Sequence, residues 1–394
     1  MPCFPLPSPS RFPARSPKAG CPVPRTVQPT PRRAPLGALF GLLIAVGLTL
    51  PGTSVAVSIQ GTPTAGGSPV ASPVGGDPVA RAAAWLITQQ VADGGFVGFS
   101  GTSDPGLTAD AVVALRAAEA RGAEVAAPLA AARDYLLGAA GAYAATGAGP
   151  AAKLALAMVA VGVDPATLAG DQGDLLLAMG AANPETGLYG QGVYDHALVL
   201  LARAAANAPV SPPDIEALRA RQIADGTWAF AGTTEAGTGD SNTTAVVLQA
   251  LIATGHGTDP MIEAGLAALR TLQAETGGFP FQPGGDADAN STALVVQAIV
   301  AAGADPTGAE WRDAASALLA FQNASGALRY TDAEPPDNLY ATVQAIPALA
   351  GLPLPVATAC PLVATPAVAP VGTAVAVLPA PGRGSGVCVD LEAA

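Results

Sequence analysis

The sequence predicts an all-α domain over residues 78–352: six helical hairpins, each with an outer and an inner helix, closed into an α/α toroid. Three observations carry the prediction. Gln90, Gln222, Gln273 and Gln322 each stand four residues before a glycine and six before Phe96, Trp228, Phe279 or Leu328. A unit of about fifty residues that recurs in this way is one that buries its apolar face only by stacking on its neighbours. The apolar patterns alternate between one-sided and all-round, which separates an outer from an inner helical layer. The turn Gly-x-Asp-Pro recurs at 162–165, 257–260 and 303–306, with Gly past a helix end, Asp at the next N-cap and Pro at the first helical position.

Residues 1–56 carry six basic and no acidic residues and lead into the uncharged run 36–50, then Ser54-Val55-Ala56. This is the order of a secretory leader with a small-x-small cleavage site. Fifteen helical residues span about 22 Å, short of the roughly 30 Å hydrocarbon core. Export to the outside or the cell surface is expected, with an uncleaved anchor through 36–50 as the alternative and the only membrane contact. Residues 57–77 read as a Gly/Pro/Ser linker.

Removing the leader leaves 12 basic residues against 30 acidic ones, a net charge of −18. A surface so acidic repels phosphate backbones and argues against nucleic acid as a partner. Cys3 and Cys21 lie in the leader, Cys360 and Cys388 in the tail 353–394. The latter two are expected to pair after export, closing a loop worth about 3.5 kcal/mol in the chain-entropy picture. The tail itself reads either as two or three short strands or as a stalk.

Within the repeats, the outer helices are expected to centre near Trp85, Leu136, Leu176, Leu218, Leu269 and Leu318, and the inner helices near Val112, Leu156, Leu198, Val247, Val295 and Val343. The fifth unit shows why. Residues 261–273 place Ile262, Leu266, Leu269 and Leu272 on one stripe, whereas 290–303 are apolar almost all round. The second and third units have lost the signal: Ala140 stands where a Gln is expected, and only Gly187-Leu188-Tyr189 remains of the other. Six such hairpins hide their apolar sides best by closing on themselves.

Trp85-Leu86 with Gln90 and Gly94-x-Phe96, and Leu218 through Gln222 to Gly226-x-Trp228, resemble the QW repeat of terpene cyclases and protein prenyltransferase β subunits. The resemblance covers residues 78–352 and implies the toroid. It implies little about activity, because similar toroids serve cyclases, prenyltransferases, secreted cobalamin carriers and thioester proteins. The prenyltransferases' zinc is held by Asp, Cys and His, yet the repeats hold no cysteine and only His196 and His256. The same lack of cysteine removes a thioester. The class II cyclase cluster D-x-D-D finds its nearest match in Asp286-Ala287-Asp288-Ala289, where the last acid is missing, and aromatics are 5% of the chain, few for enclosing a carbocation. Asp286-x-Asp288-x-Asn290 also opens like a calcium loop, but Ser291 replaces the turn glycine and Gln297 the closing glutamate. No cofactor or metal is expected.

The repeated glutamines are read as structural, satisfying carbonyls at the end of the outer helix. The pairs Trp228/Phe230, Phe279/Phe281 and Leu328/Tyr330 read as core packing or as stacking surfaces, with Trp228 and Phe279 as candidates for the latter. Asp104, Asp240 and Asp288 each precede a Thr-Ala pair by four residues, as N-caps would. Because the inner helices run the same way, their N-termini and the long loops gather at one mouth, where Asp104, Asp195, Asp240, Asp286, Asp288 and Asp337 form the candidate ligand ring. Gln249, Gln297 and Gln344 read as recurring at one inner-helix position, either bonded between helices or facing the cavity. The reading is an exported, non-catalytic toroid binding an unidentified small molecule or surface glycan. A diverged cyclase using Asp288 as its acid, or a purely structural surface module, are the alternatives.

Overall fold

The computed structural model describes residues 76–168 and 173–356. The stretch read as a leader, most of the linker, and the tail beyond residue 356, with Cys360 and Cys388, lie outside the described residues. Twelve α-helices occur among the described residues. Six form the inner layer: α2 (Pro105–Glu119), α4 (Ala148–Ala160), α6 (Val193–Ala205), α8 (Ser241–Ala253), α10 (Ala289–Ala301) and α12 (Leu339–Leu349). Each packs on the next, and α12 packs back on α2, so the ring is closed. The outer helices are α1 (Pro78–Ile87), α3 (Ala126–Ala144), α5 (Leu175–Ala178), α7 (Pro212–Arg219), α9 (Pro260–Leu272) and α11 (Ala314–Leu319). All twelve contain or closely flank the centres read from the sequence. The described residues hold no strand, only isolated bridges such as Gln90 with Phe96 and Trp228 with Asp240. None of the described helices is long and apolar enough to cross a membrane.

The repeated glutamine ties neighbouring units together. Gln222 Nε2 donates to Gly226 O at 3.0 Å within its own turn and to Met261 O at 3.1 Å, in the first turn of the next outer helix. Gln90 reaches Gly94 O and Pro128 O in the same way, and Gln273 reaches Gly277 O and Trp311 O. Gln322 closes the circle, donating to Gly326 O and to Pro78 O of α1, while Arg81 of α1 donates back to Gln322 Oε1 at 3.1 Å and Asn323 O at 2.7 Å. The sequence reading assigned this amide to one outer helix; the structure shows it bridging two. The glycine of the motif is fixed on two counts: Gly226 has φ +90°, and a Cβ there would collide with Ala264 O of α9.

Trp228, Phe279 and Phe96 are fully buried between the layers, and the Trp228 indole donates to Leu218 O at 2.8 Å. Their backbone amides donate to Thr244, Thr292 and Thr108 Oγ1, which seats each turn on the inner helix it precedes. Two residues on, the carbonyls of Phe230, Phe281 and Tyr330 accept from the first amides of α6, α8 and α10, one repeat earlier. The pairs are therefore clamps between units.

Two turns behave differently from their sequence pattern. After Asp164-Pro165 and Asp305-Pro306 no long helix starts. Asp305 caps only a local turn through Thr307, and Arg312 and Asp313 take positive φ before α11 begins. Gln344 also leaves the register of Gln249 and Gln297. It lies two residues beyond Thr342, whereas they lie five beyond Thr244 and Thr292. Beyond α12 the chain continues onto the toroid: Gln297 Nε2 donates to Leu352 O at 3.1 Å and Leu354 N donates to Gln249 Oε1 at 2.8 Å. The segment 352–356 thus runs from α12 past α10 to α8, with Leu352 and Leu354 on the core and Val356 buried.

Candidate functional site

Inner helices apolar on nearly every side leave one narrow stripe facing the axis. Two residues after the N-caps this stripe carries Gly106, Gly149, Tyr194, Asn242, Asn290 and Tyr340, one per helix. Four residues deeper stand Asp110, Lys153, Leu198, Val246, Leu294 and Gln344. The two layers form a mixed interior, polar at Asp110, Lys153, Asn242, Asn290 and Gln344 and aliphatic at Leu198, Val246 and Leu294. Lys153 Nζ of α4 donates to Asp110 Oδ2 of α2 at 2.8 Å, and Asn290 Nδ2 donates to Gln344 Oε1 at 2.7 Å.

The ion pair is the electrostatic centre. Lys153 acts through space on Tyr143 at the end of α3, on Tyr194 and Asp195 of α6 and on Tyr340 of α12. Side chains of α2, α3, α6 and α12 are thus within electrostatic reach of one ammonium on α4, as convergence on the lumen would place them. Burial works against the charged lysine, but the Asp110 carboxylate and its hydrogen bond outweigh it and hold Lys153 above its ordinary range. Burial also raises Asp110 against the pull of Lys153, and pushes Tyr194 up to about 12. Both members of the pair keep about a quarter of their side-chain exposure, 24% and 26%, so water reaches them inside a wall that screens poorly.

Local sequence explains the room around this pair. At Gly106 a Cβ would press on the Tyr143 hydroxyl, and at Gly149 on the Asp195 carboxylate. The two glycines let Tyr143 and Asp195 lean over Asp110 and Lys153. The connection from α3 to α4 is only residues 145–147, whereas the other hairpins carry long loops, so the rim is lowest at this repeat. Elsewhere the rim is aromatic. Phe99, 72% exposed, stacks on Tyr340 with centroids 4.7 Å apart, and Tyr194 stacks on Phe230 at 5.9 Å.

The six aspartates of the expected ring divide into three groups. Asp104 caps α2 through Leu107 N and stays half-buried at the lumen edge; Asp195 accepts from Gln191 N at 2.8 Å and leans over Gly149. Asp240 and Asp288 are buried caps of α8 and α10, each holding a backbone amide with one oxygen and the hydroxyl of Thr243 or Ser291 with the other. Burial outweighs those bonds and raises both to about 6. Asp286 is exposed in its loop, and Asp337, also exposed, accepts from Asn323 and Ser325. With Asp288 committed to its helix, Asp286 and Asp288 do not converge as a calcium loop requires. Trp228 and Phe279, expected as stacking surfaces, have no exposed surface to offer; Phe230 and Phe99 take that position. His196 is buried beside α7, accepting from Tyr189 N at Nδ1 and facing Asp214 O with Nε2, which makes it a neutral structural residue lowered by burial. Among the described residues no group of three or more His, Cys, Asp or Glu side chains comes together as a metal site.

Sequence reasoning missed Asp110, Lys153 and Tyr143. A signal was there: Lys18 and Lys153 are the only lysines in the chain, and Lys153 interrupts an otherwise wholly uncharged helix.

No family model matches the chain, and no curated protein matches it in sequence. Solved structures do. A protein from Actinoplanes is 19% identical with a TM-score of 0.52, the match covering 70% of this chain and 98% of that one. The type II terpene cyclase MstE from Scytonema, solved with geranylgeranyl dihydroxybenzoate, is 18% identical with a TM-score of 0.51 over 70% and 96%. The GH76A α-1,6-mannanase from Salegentibacter sp. HEL1_6 is 9% identical with a TM-score of 0.53 over 69% and 98%. The protein is thus an α/α toroid of the architecture that terpene cyclases and glycosidases share. At these identities the likeness is one of fold.

Proposed function

We propose that this chain is an exported, non-catalytic binding protein whose ligand enters the toroid from the loop face and is held in the lumen at Asp110 and Lys153. Export rests on the leader-like residues 1–56. The lumen reading rests on one observation above all: the repeat domain's single lysine is spent on an ion pair in a solvent-reached interior. An ion pair inside the ring costs desolvation that an aliphatic pair at the same place would not. The cyclase alternative is disfavoured by the same pair, since a charge pair in the lumen suits a polyene poorly, and both Asp288 oxygens are engaged by Ser291.

The test is a thermal-shift panel of calcium, corrinoids, polyprenyl lipids and oligosaccharides. A specific ligand at a hundred times its dissociation constant adds about 2.7 kcal/mol to stability, and Lys153→Met is expected to remove that increment. Cyclisation of a polyprenyl substrate that Asp288→Asn abolishes would replace this reading with the enzyme one. No shift from any class would favour a structural surface module.

A further inference from the structure

Resting on the lumen reading above, we propose that the lumen recognises the end of a neutral carbohydrate chain. The argument starts from charge. The acidic rim, with Asp104 and Asp195 at the lumen edge, turns away anions, while the Lys153 ammonium one turn deeper opposes an organic cation that would reach Asp110. What can touch both members of the pair is a neutral group that donates to Asp110 and accepts from Lys153. Two vicinal hydroxyls do this, because their oxygens are spaced much like the heavy atoms of the pair, 2.8 Å apart. A hydrocarbon ligand would instead cut the pair off from water and supply no hydrogen bonds in return.

The walls agree with this assignment. Phe99 over Tyr340, and Tyr194 beside Phe230, present flat faces at the rim where the C–H face of a pyranose can lie. Asn242 of α8, across the lumen from α2, and Gln344 of α12, beside α2, add amides whose oxygens accept from Ser241 and Asn290 and whose NH2 groups can donate to a hydroxyl. The far end decides the mode. Gln249 and Gln297, deeper in their helices than the ion pair is in its own, hold the segment 352–356 across α8 and α10. A chain entering from the loop face meets this segment on its way through, which favours entry by its end.

The experiment uses the full chain with lysine 13Cε labels, in which Lys18 and Lys153 give the only two signals; Lys153→Met assigns them. Linear glucose, mannose, xylose and N-acetylglucosamine oligomers, cyclic glucose oligomers, a polyamine and a polyprenyl alcohol are titrated in turn. The expected result is that one linear neutral series moves the Lys153 signal and leaves Lys18 unmoved. Affinity should level off after two or three sugar units, and cyclic oligomers should be inert. Lys153→Met combined with Asp110→Asn, which leaves no unpaired charge, should weaken binding at least tenfold. A response to the polyamine or the polyprenyl alcohol with none to sugars overturns the carbohydrate assignment and leaves the lumen reading standing. Cyclic oligomers binding as well as linear ones overturns end recognition. A Lys153 signal that no probe moves overturns both.

Discussion

Asp240 and Asp288 are raised to about 6 by burial, although each accepts two bonds from the first turn of its own helix. An aspartate in the unfolded chain titrates near 3.9. Between these values the native state binds more protons than the unfolded state, so stability is fully present below about pH 4 and falls as pH rises through about 6. Each residue accounts for about 2 to 3 kcal/mol of that fall. Asn338 already caps α12 at the equivalent place through Ala341 N, which shows that the amide suffices. The double variant Asp240→Asn/Asp288→Asn is therefore expected to flatten urea-measured stability between pH 4 and 6.5 and to exceed the parent at pH 7. A profile unchanged in slope would mean that neither carboxylate carries the buried proton. Lys153→Met should cost about 3 kcal/mol by stranding the Asp110 carboxylate, and Asp110→Asn on top should restore most of it. Additive losses in that double-mutant cycle would argue against a coupled pair.

The unit of assembly is the turn that joins an outer helix to the next inner one. Its glutamine spans two outer helices, its glycine lets the backbones meet, and its aromatic fills the space between layers. Gln222→Ala removes two hydrogen bonds from carbonyls that water reaches poorly and should cost about 2 kcal/mol. Gly226→Ala adds strain at φ +90° to a collision with Ala264 O and should cost about 3 kcal/mol or more in chemical denaturation. If Gly226→Ala were the milder of the two, the close approach of the turn to α9 would be wrong. The second hairpin lacks this turn altogether, and the long α3 delivers Tyr143 to the lumen in its place.

At the scale of the whole molecule, closure rests on Gln322 and Arg81 joining the sixth unit to the first, and the lumen floor rests on residues 352–356. Chains ending at 356 and at 351 test the second contact. Loss of Leu352, Leu354 and Val356 should lower stability by about 3 kcal/mol, given that a fully buried aliphatic side chain is worth about 1.5 to 3. The shorter chain should also bind an apolar dye through its opened floor. Equal melting temperatures for the two would place the segment outside the cooperative unit.

The sequence by itself determined the layers, the sixfold repeat and the helix caps, because periodicity and end chemistry are local: Asp104 before Thr108, or Leu266 one turn from Leu269, reports on its own few residues. It also marked Gln90, Gln222, Gln273 and Gln322 as structural, but not what they bridge. The tertiary structure alone decided which carboxylates meet. Asp240 and Asp288 share a pattern with Asp104 yet are sealed from the lumen, while Asp110 and Lys153 belong to different repeats, 43 residues apart, and become partners only when α2 and α4 stand side by side in the closed ring.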